Sequence, residues 1–253
     1  MNAALEHFAP HHKELRKRLV RIIISIVLAA CLVYLFIDQI VAFFMMPLFS
    51  AYPALQKLVY TRLTEAFITY LKLSMLLGVV LSFPVVVYQA WMFVAPGLMD
   101  HERRLAKIIV FWSSFLFLGG VVFSFFIVLP RLLAFFMSYA GPNLQPLPRL
   151  GLYLTFVARM VLAFGIAFEI PFLMFMISRA GLVSAGYFRN KRFYYYIAIV
   201  VLAFLLTAGE PTATVLLSFP LFGLYEIGIL LGRIFGRKKK PVEDAGSQNS
   251  KEG

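Results

Sequence analysis

Six long apolar stretches dominate this chain, and they exclude a soluble globular fold. A helix needs about 20 apolar residues, at about 1.5 Å of rise each, to cross about 30 Å of hydrocarbon. When interfacial residues are counted, four of the stretches reach or approach that length, and the last two are short. Of the 253 residues, 61% are hydrophobic and only 14% are charged, which leaves little of the chain for an aqueous domain. We therefore predict an all-α polytopic membrane protein, a concave bundle with spans at 22–37, 66–88, 108–128, 153–177, 194–207 and 215–231.

The distribution of basic residues predicts the orientation of the chain in the membrane. If the N-terminus is cytoplasmic, eighteen of the 24 Lys and Arg residues fall on the cytoplasmic side and four on the outer side. This bias predicts that both termini are cytoplasmic. The net charge of +12 is then a consequence of topology, and bases spread over four segments without stacking aromatics do not indicate nucleic-acid binding. We predict a membrane domain over 1–235 and a disordered cytoplasmic tail over 236–253, which is polar and poor in aromatics.

The segments between the spans carry further signals. The first outer segment, 38–65, is too apolar for a free linker, so we expect short helices that cap the outer face. We expect the third helix to continue past Pro130. The last two spans are expected to form a tight hairpin, and their apolar lengths correspond to only about 21 and 26 Å of helix. Either the lipid beside them thins, or the tyrosines at 194–196 merely mark an interface.

The chain has only twelve acidic residues, and one of them lies deep in a predicted span. A carboxyl group within the hydrocarbon is costly unless it is protonated, paired or hydrated, so Glu169 is a candidate functional residue. Pro171 removes a backbone donor beside it and predicts a kink. We expect Glu169 to face the interior of the bundle, with Gln89 as a candidate polar neighbour; alternatively, it merely satisfies an adjacent helix. For Glu14, a pair with Arg18 at i,i+4 is the simplest interpretation.

Five ordered motifs carry a family resemblance. They are His-x-x-Glu-Leu-Arg-x-Arg from His11, Phe-Pro-x-x-x-Tyr-Gln-x-Trp-x-Phe-x-x-Pro-Gly-Leu from Phe83, His101–Arg104, Phe-Gly-x-x-Phe-Glu-x-Pro from Phe164, and Tyr225–Gly228. In this order the chain, from about His11 to Gly232, resembles TatC, the large subunit of the twin-arginine protein translocase. Two departures are visible. Thr-Ala-Gly-Glu-Pro at 207–211 replaces the family's usual Thr-Pro-Pro-Asp, and Thr214 stands where Gln is frequent.

The resemblance implies a receptor that binds twin-arginine signal peptides and helps to export folded proteins, driven by the proton gradient. It implies a cytoplasmic binding site, an intramembrane polar site, and contacts with TatA- and TatB-like single-span subunits, together with self-association and membrane lipid. No cofactor, metal, nucleic acid or enzymatic activity is expected. The alternative is a proton- or ion-coupled secondary transporter of a small solute that uses Glu169, Lys72 and Arg159. The expected sites comprise Glu14, Glu102, Arg16, His101 and Arg103 for the signal peptide, Glu169, Gln89 and Pro171 in the membrane, and Glu210 and Glu226 for outer-loop or partner contacts.

Overall fold

Helices account for nearly all of the residues that the computed structural model describes, which are 2–53, 55, 58–94, 100–138, 147–179, 183, 185–207, 209 and 211–235. The predicted tail at 236–253 lies outside them. In chain order the helices are α1 (Asn2–Leu35), α2 (Ile37–Ala51), α3 (Glu65–Val94), α4 (Asp100–Phe123), a π-helical turn (Ser124–Val128), α5 (Leu129–Ser138), α6 (Leu150–Arg179), α7 (Ala185–Asn190), α8 (Arg192–Leu206) and α9 (Pro211–Phe235).

Within the described ranges, five helical segments are long and apolar enough to cross a membrane. They are Glu14–Leu35, Glu65–Phe93, Lys107–Ser138, Leu150–Arg179 and Pro211–Ile234. The prediction of a polytopic helical membrane protein is therefore confirmed. The fifth predicted span corresponds to α8, which has only 15 residues. The count of six spans and the cytoplasmic placement of both termini stay predictions.

The last helix is longer than the apolar stretch that predicts it. Helix α9 has 25 residues, or about 37 Å of helix, because it extends beyond the apolar core into Pro211 and Thr212 at its start and Arg233 near its end. Helix α8, at about 22 Å, is the short member of the hairpin.

The first outer segment folds as a helix that caps one end of the bundle, as expected. Helix α2 follows α1 directly, with a single turn residue between them. Its buried residues Phe44 and Leu48 join an apolar cluster with Phe125 and Leu129, and the hydroxyl of Tyr153 donates to the Phe44 carbonyl at 2.8 Å. We name this end of the bundle, where α2 and α5 lie and α8 connects to α9, the outer end. The opposite end, where α4 and α8 begin and α6 finishes, is the inner end.

The third membrane helix continues past Pro130, as predicted, by means of a π-helical turn. Proline has no N–H group, and its ring clashes with the carbonyl four residues earlier in a regular α-helix. Just before Pro130, the Leu129 N–H donates to the carbonyl of Ser124, five residues back. This wider turn changes the hydrogen-bond register where the proline would otherwise break it. The helix then resumes as α5 and packs against α2.

Helix α6 is the centre of the bundle. It packs against α3, α4 and α9, with further contacts to α2 and α8. Its buried residues belong to both apolar clusters, one at the outer end and one shared with α8 and α9. Polar groups on α6 can therefore be enclosed by other helices, whereas α1 packs chiefly on α3.

Candidate functional site

Glu14 lies on α1 where its membrane-length segment, Glu14–Leu35, begins, and it forms an ion pair within its own helix. The Arg18 guanidinium donates to the Glu14 carboxylate, one helical turn away. The Arg18 side chain is 13% exposed and that of Glu14 is 40% exposed, so the carboxylate remains accessible from solvent. Arg16, between them in sequence, is exposed. The i,i+4 pair expected from the sequence is thus present, and an incoming guanidinium would meet a carboxylate that already has a cationic partner.

The second acidic candidate, Glu102, lies in the first turn of α4, together with His101 and Arg103. The structure describes only the backbone of these three residues. A carboxylate in the first turn of a helix is favourably placed relative to the helix dipole. Because α3 packs against both α1 and α4, Glu14 and Glu102 are placed on two helices that flank the same neighbour at the inner end. Their side-chain separation stays a prediction.

Glu169 lies on α6, ten residues before its end at Arg179, which places it about 15 Å from that inner end. It is 8% exposed, and the Ser113 hydroxyl on α4 donates to its Oε2 at 2.6 Å. Its Oε1 has no hydrogen-bond partner among the described residues. The carboxyl group therefore points toward α4 rather than into lipid, and it is only half satisfied by the described chain.

Two glycines allow α4 and α6 to approach closely enough for this contact. A Cβ on Gly120 would lie 2.5 Å from the Phe164 carbonyl oxygen, and a Cβ on Gly165 would lie 2.6 Å from the Phe117 ring. The helices run in opposite directions. Ser113 lies seven residues from Gly120 along α4, in the direction of the inner end. Glu169 lies four residues from Gly165 along α6, in the same direction.

The other intramembrane candidates do not join this hydrogen bond. Gln89 on α3 is 8% exposed, but its Oε1 has no hydrogen-bond partner among the described residues. Pro171 lies inside α6, which continues through it to Arg179, and it is buried. Sequence reasoning named Glu169 but missed its partner, Ser113. The available signal was a serine pair, Ser113 and Ser114, within an otherwise apolar span.

Glu226 lies toward the inner end of the α8–α9 hairpin. Its Oε2 accepts a hydrogen bond from Arg192 at 2.6 Å, and its Oε1 accepts one from the Tyr196 hydroxyl. Both partners lie at the start of α8, so Glu226 joins the two helices at the end opposite to their outer connection. Glu210, which belongs to that connection, lies outside the described residues. The grouping of Glu210 with Glu226 as outer-loop or partner contacts therefore stays a prediction.

The outer side of the hairpin contains a buried polar pair instead. The hydroxyls of Thr207 and Thr214 are 2.8 Å apart, and both residues are buried. Thr207 also donates to the Ala203 carbonyl in the preceding turn of α8. Thr214 is the position where the sequence departs from the frequent glutamine, and here it helps to fix the hairpin geometry.

The sequence is similar to known proteins over most of its length. A family model described as "Sec-independent protein translocase protein (TatC)" matches residues 10–220. The chain is 38% identical over 243 residues to the Sec-independent protein translocase protein TatC of Desulforapulum autotrophicum, covering 96% of this chain and 90% of that one. It is 35% identical over 235 residues to the same protein of Escherichia coli strain K12, covering 92% and 91%.

The fold is similar to that of a crystal structure described as the twin arginine translocase receptor TatC. The TM-score is 0.82 at 32% sequence identity, and the alignment covers 90% of this chain and 100% of the other. A second structure of the receptor, in the detergent DDM, gives a TM-score of 0.80. These relatives fit the interpretation as a translocase subunit and not the alternative of a solute transporter. The chain belongs to the TatC family of Sec-independent protein translocase proteins.

Proposed function

We propose that this chain is a receptor for twin-arginine signal peptides and the core subunit of a translocase that exports folded proteins across the bacterial cytoplasmic membrane. By similarity to the family, transport is driven by the proton gradient, and the chain itself performs no covalent chemistry. The observation that carries the proposal is the position of two carboxylate residues on helices that both pack against α3: Glu14 begins the membrane-length segment of α1, and Glu102 lies in the first turn of α4.

The chemistry of the inner end suits a pair of arginines. Charge-assisted hydrogen bonds between guanidinium and carboxylate are strong and can be bidentate, which favours Arg over Lys. The surrounding charges are mainly basic, among them Arg16, Arg103 and Lys107. A carboxylate in a repulsive field binds cations selectively, because only a ligand that reaches it directly gains the attraction. We assign Glu102 as the principal contact and Glu14 as the second, with Arg16, His101 and Arg103 around them.

The ion pair with Arg18 gives Glu14 a defined resting state. Arg18 is mostly shielded from solvent, and it holds the carboxylate against α1. A signal-peptide guanidinium that binds Glu14 exchanges one charge-assisted hydrogen bond for another or shares the carboxylate with Arg18. The net gain from Glu14 is therefore smaller than that of an unpaired carboxylate, which supports its secondary role.

We further propose that TatA- and TatB-like single-span subunits pack along the α8–α9 hairpin, and that copies of this chain associate with one another. The support is an apolar stripe on α8 with a spacing of four residues, formed by Phe193, Ile197, Val201 and Leu205, which are 48–71% exposed. Such spacing places side chains on one helix face. The stripe lies on the short helix, where a partner helix would also cover the bilayer mismatch.

A binding experiment on the full-length chain tests the receptor function. A photoreactive peptide with consecutive arginines is titrated against the protein in membranes, and crosslinking is quantified. Glu102→Gln keeps the shape and removes the charge, so affinity should fall by about 1.5–3 kcal/mol, or roughly 10- to 100-fold. Glu14→Gln should reduce it less, and a peptide with Lys-Lys should bind poorly to the unaltered protein.

Asp38→Asn provides the matched control, because Asp38 is an exposed carboxylate on α2 at the outer end. It should leave crosslinking unchanged. Normal crosslinking in the double variant Glu14→Gln with Glu102→Gln would contradict the assignment of the site. Accumulation of a small solute by proteoliposomes that contain the chain alone would instead favour a transporter.

A further inference from the structure

A cavity of about 630 Å³ opens between the outer halves of α3 and α6, far from the inner-end site. Its volume lies within the range of about 300–1,000 Å³ that is typical of ligand sites. Its lining combines basic, hydroxyl and apolar side chains, and four of the lining residues are cationic while only one is acidic. The residues that decide its chemistry are Arg62, Glu65, Lys72, Arg149 and Arg159, with Ile68, Leu152 and Phe156 as apolar neighbours.

Glu65, the single acidic residue of the cavity lining, forms hydrogen bonds that connect the starts of α3 and α6. Glu65 Oε1 accepts from the Gly151 N–H at 3.2 Å, in the first turn of α6, and Oε2 accepts from the Thr61 N–H at 2.9 Å. Arg149 lies 3.5 Å from the same oxygen and donates to the Thr61 hydroxyl at 2.6 Å. A short parallel bridge between Val59 and Arg149 fixes this arrangement. Glu65 is thus bound to Arg149 and backbone donors, and its charge is not directed at the deeper cations.

Two cations lie deeper, within the membrane-spanning parts of the helices. Lys72 is seven residues into α3 and Arg159 nine residues into α6, or about 10 and 13 Å from the helix starts. Both are exposed, and within the described ranges neither forms an ion pair. A cation at this depth is costly unless an anion or water compensates it. Their long side chains can reach toward the outer end, where a charged group at headgroup level would meet them.

The apolar part of the lining identifies the kind of anion. Ile68 and Leu152 are 44% and 65% exposed, and together with Phe156 they lie beside the cations in the same cavity. We propose that the cavity binds a phospholipid, with its phosphate between Lys72 and Arg159 and an acyl chain along the apolar residues. A phosphate offers several strong acceptor oxygens to two or more cations at once. A free phosphate would leave the apolar lining unused, whereas a lipid uses both parts and is present at the required depth.

Native mass spectrometry of the purified full-length chain tests the proposal. The protein in detergent is titrated with dioleoyl phosphatidylglycerol, and the bound lipid is counted. We expect retention of this lipid and of the phosphatidylethanolamine with the same chains, but not of dioleoylglycerol, which lacks the phosphate. Lys72→Met with Arg159→Met should weaken binding about tenfold or more, since each cation supplies a charge-assisted hydrogen bond. Inorganic phosphate at millimolar concentration should not compete.

Matched variants separate this site from a general charge effect. Arg131→Met removes an exposed outer-end cation that is outside the cavity lining, and it should leave lipid binding unchanged. If the double Met variant does not fold, Lys72→Gln alone should still weaken binding, while Lys72→Arg should preserve it. Equal retention of dioleoylglycerol, competition by inorganic phosphate, or full lipid binding by the double variant would overturn the proposal. Unchanged lipid binding combined with loss of a co-purified single-span subunit would assign the cavity to a protein partner instead.

Discussion

The hydrogen bond between Ser113 and Glu169 gives the sharpest test of how the bundle holds a carboxyl group inside the membrane. Replacing Ser113 by Ala removes the donor 2.6 Å from Glu169 Oε2 and changes little else in volume. The other carboxyl oxygen, Oε1, has no hydrogen-bond partner among the described residues. In the variant, neither oxygen of Glu169 accepts a hydrogen bond from the described part of the chain. Loss of one partner of a buried polar group costs about 1–3 kcal/mol.

This cost should be visible as a loss of thermal stability. For a chain of about 150–250 residues, 1 kcal/mol corresponds to a change in Tm of about 2–4 °C, so Ser113→Ala should lower Tm by about 2–12 °C. The assay is the temperature at which half of the detergent-solubilised protein loses its monodisperse elution peak. Glu169→Gln should be tolerated better than Glu169→Ala, because the amide oxygen still accepts from Ser113. Glu169→Leu should abolish export, and Glu169→Lys should fail because an ammonium group cannot accept that bond.

The neighbouring serine supplies the control. Ser114 is adjacent to Ser113 in the sequence, and its Oγ has no hydrogen-bond partner among the described residues. Ser114→Ala removes a buried polar atom without breaking a bond, so its Tm should be unchanged or slightly higher. A Tm for Ser113→Ala within one degree of that for Ser114→Ala would refute the reasoning, as would full export by Glu169→Leu.

Three further variants test other parts of the structure. Gly120→Ala would place a Cβ 2.5 Å from the Phe164 carbonyl oxygen, whereas the Cβ of Gly119→Ala meets nothing within 4 Å. Only Gly120→Ala should lower Tm, and equal Tm values for the two variants would refute the close packing of α4 and α6. Arg18→Met removes the ion pair between Arg18 and Glu14 and should tighten twin-arginine peptide binding by about 0.2–1 kcal/mol in a crosslinking titration; unchanged or weaker binding would contradict the exchange. Insertion of four leucines into α8 adds about 6 Å of helix. It should reduce export but leave peptide binding at the inner end unchanged. Undiminished export would favour the alternative that the tyrosines at 194–196 only mark a membrane interface.

The long helices were predictable because hydrophobic length is a local property of the sequence. Stretches of about 20 apolar residues leave few alternatives to a membrane helix, and the helix through Pro130 could be anticipated from the apolar residues on both sides of it. The apolar stretch 215–231 underestimates the length of α9. Polar residues such as Thr212 and Arg233 continue the helix beyond the apolar stretch, where hydropathy no longer marks its ends.

Contacts between distant helices could not be predicted in the same way. Ser113 and Glu169 are 56 positions apart, and their meeting depends on the relative register that Gly120 and Gly165 permit. The sequence indicates the deep cations Lys72 and Arg159 only as intramembrane charges, grouped with Glu169 in the alternative of a transporter. Their shared cavity requires the starts of α3 and α6 to lie together. Glu65 connects them by accepting hydrogen bonds from the backbone N–H groups of Thr61 and Gly151. Hydrophobic periodicity carries no information about either arrangement.

The uneven burial of the helices explains why the intramembrane carboxyl group lies on α6. Only 11% of the most apolar window of Glu14–Leu35 is buried, against 44% for Leu150–Arg179. A carboxyl group in the middle of α1 would face lipid on most sides and would find no donor there, so its cost would not be offset. Helix α6 is surrounded by α3, α4, α8 and α9, and a donor such as Ser113 can reach it from one of them. Between residues 15 and 35 the sequence has no acidic residue, in agreement with this constraint. The charged groups of α1 all precede its long apolar stretch, so none of them has to be enclosed by neighbouring helices.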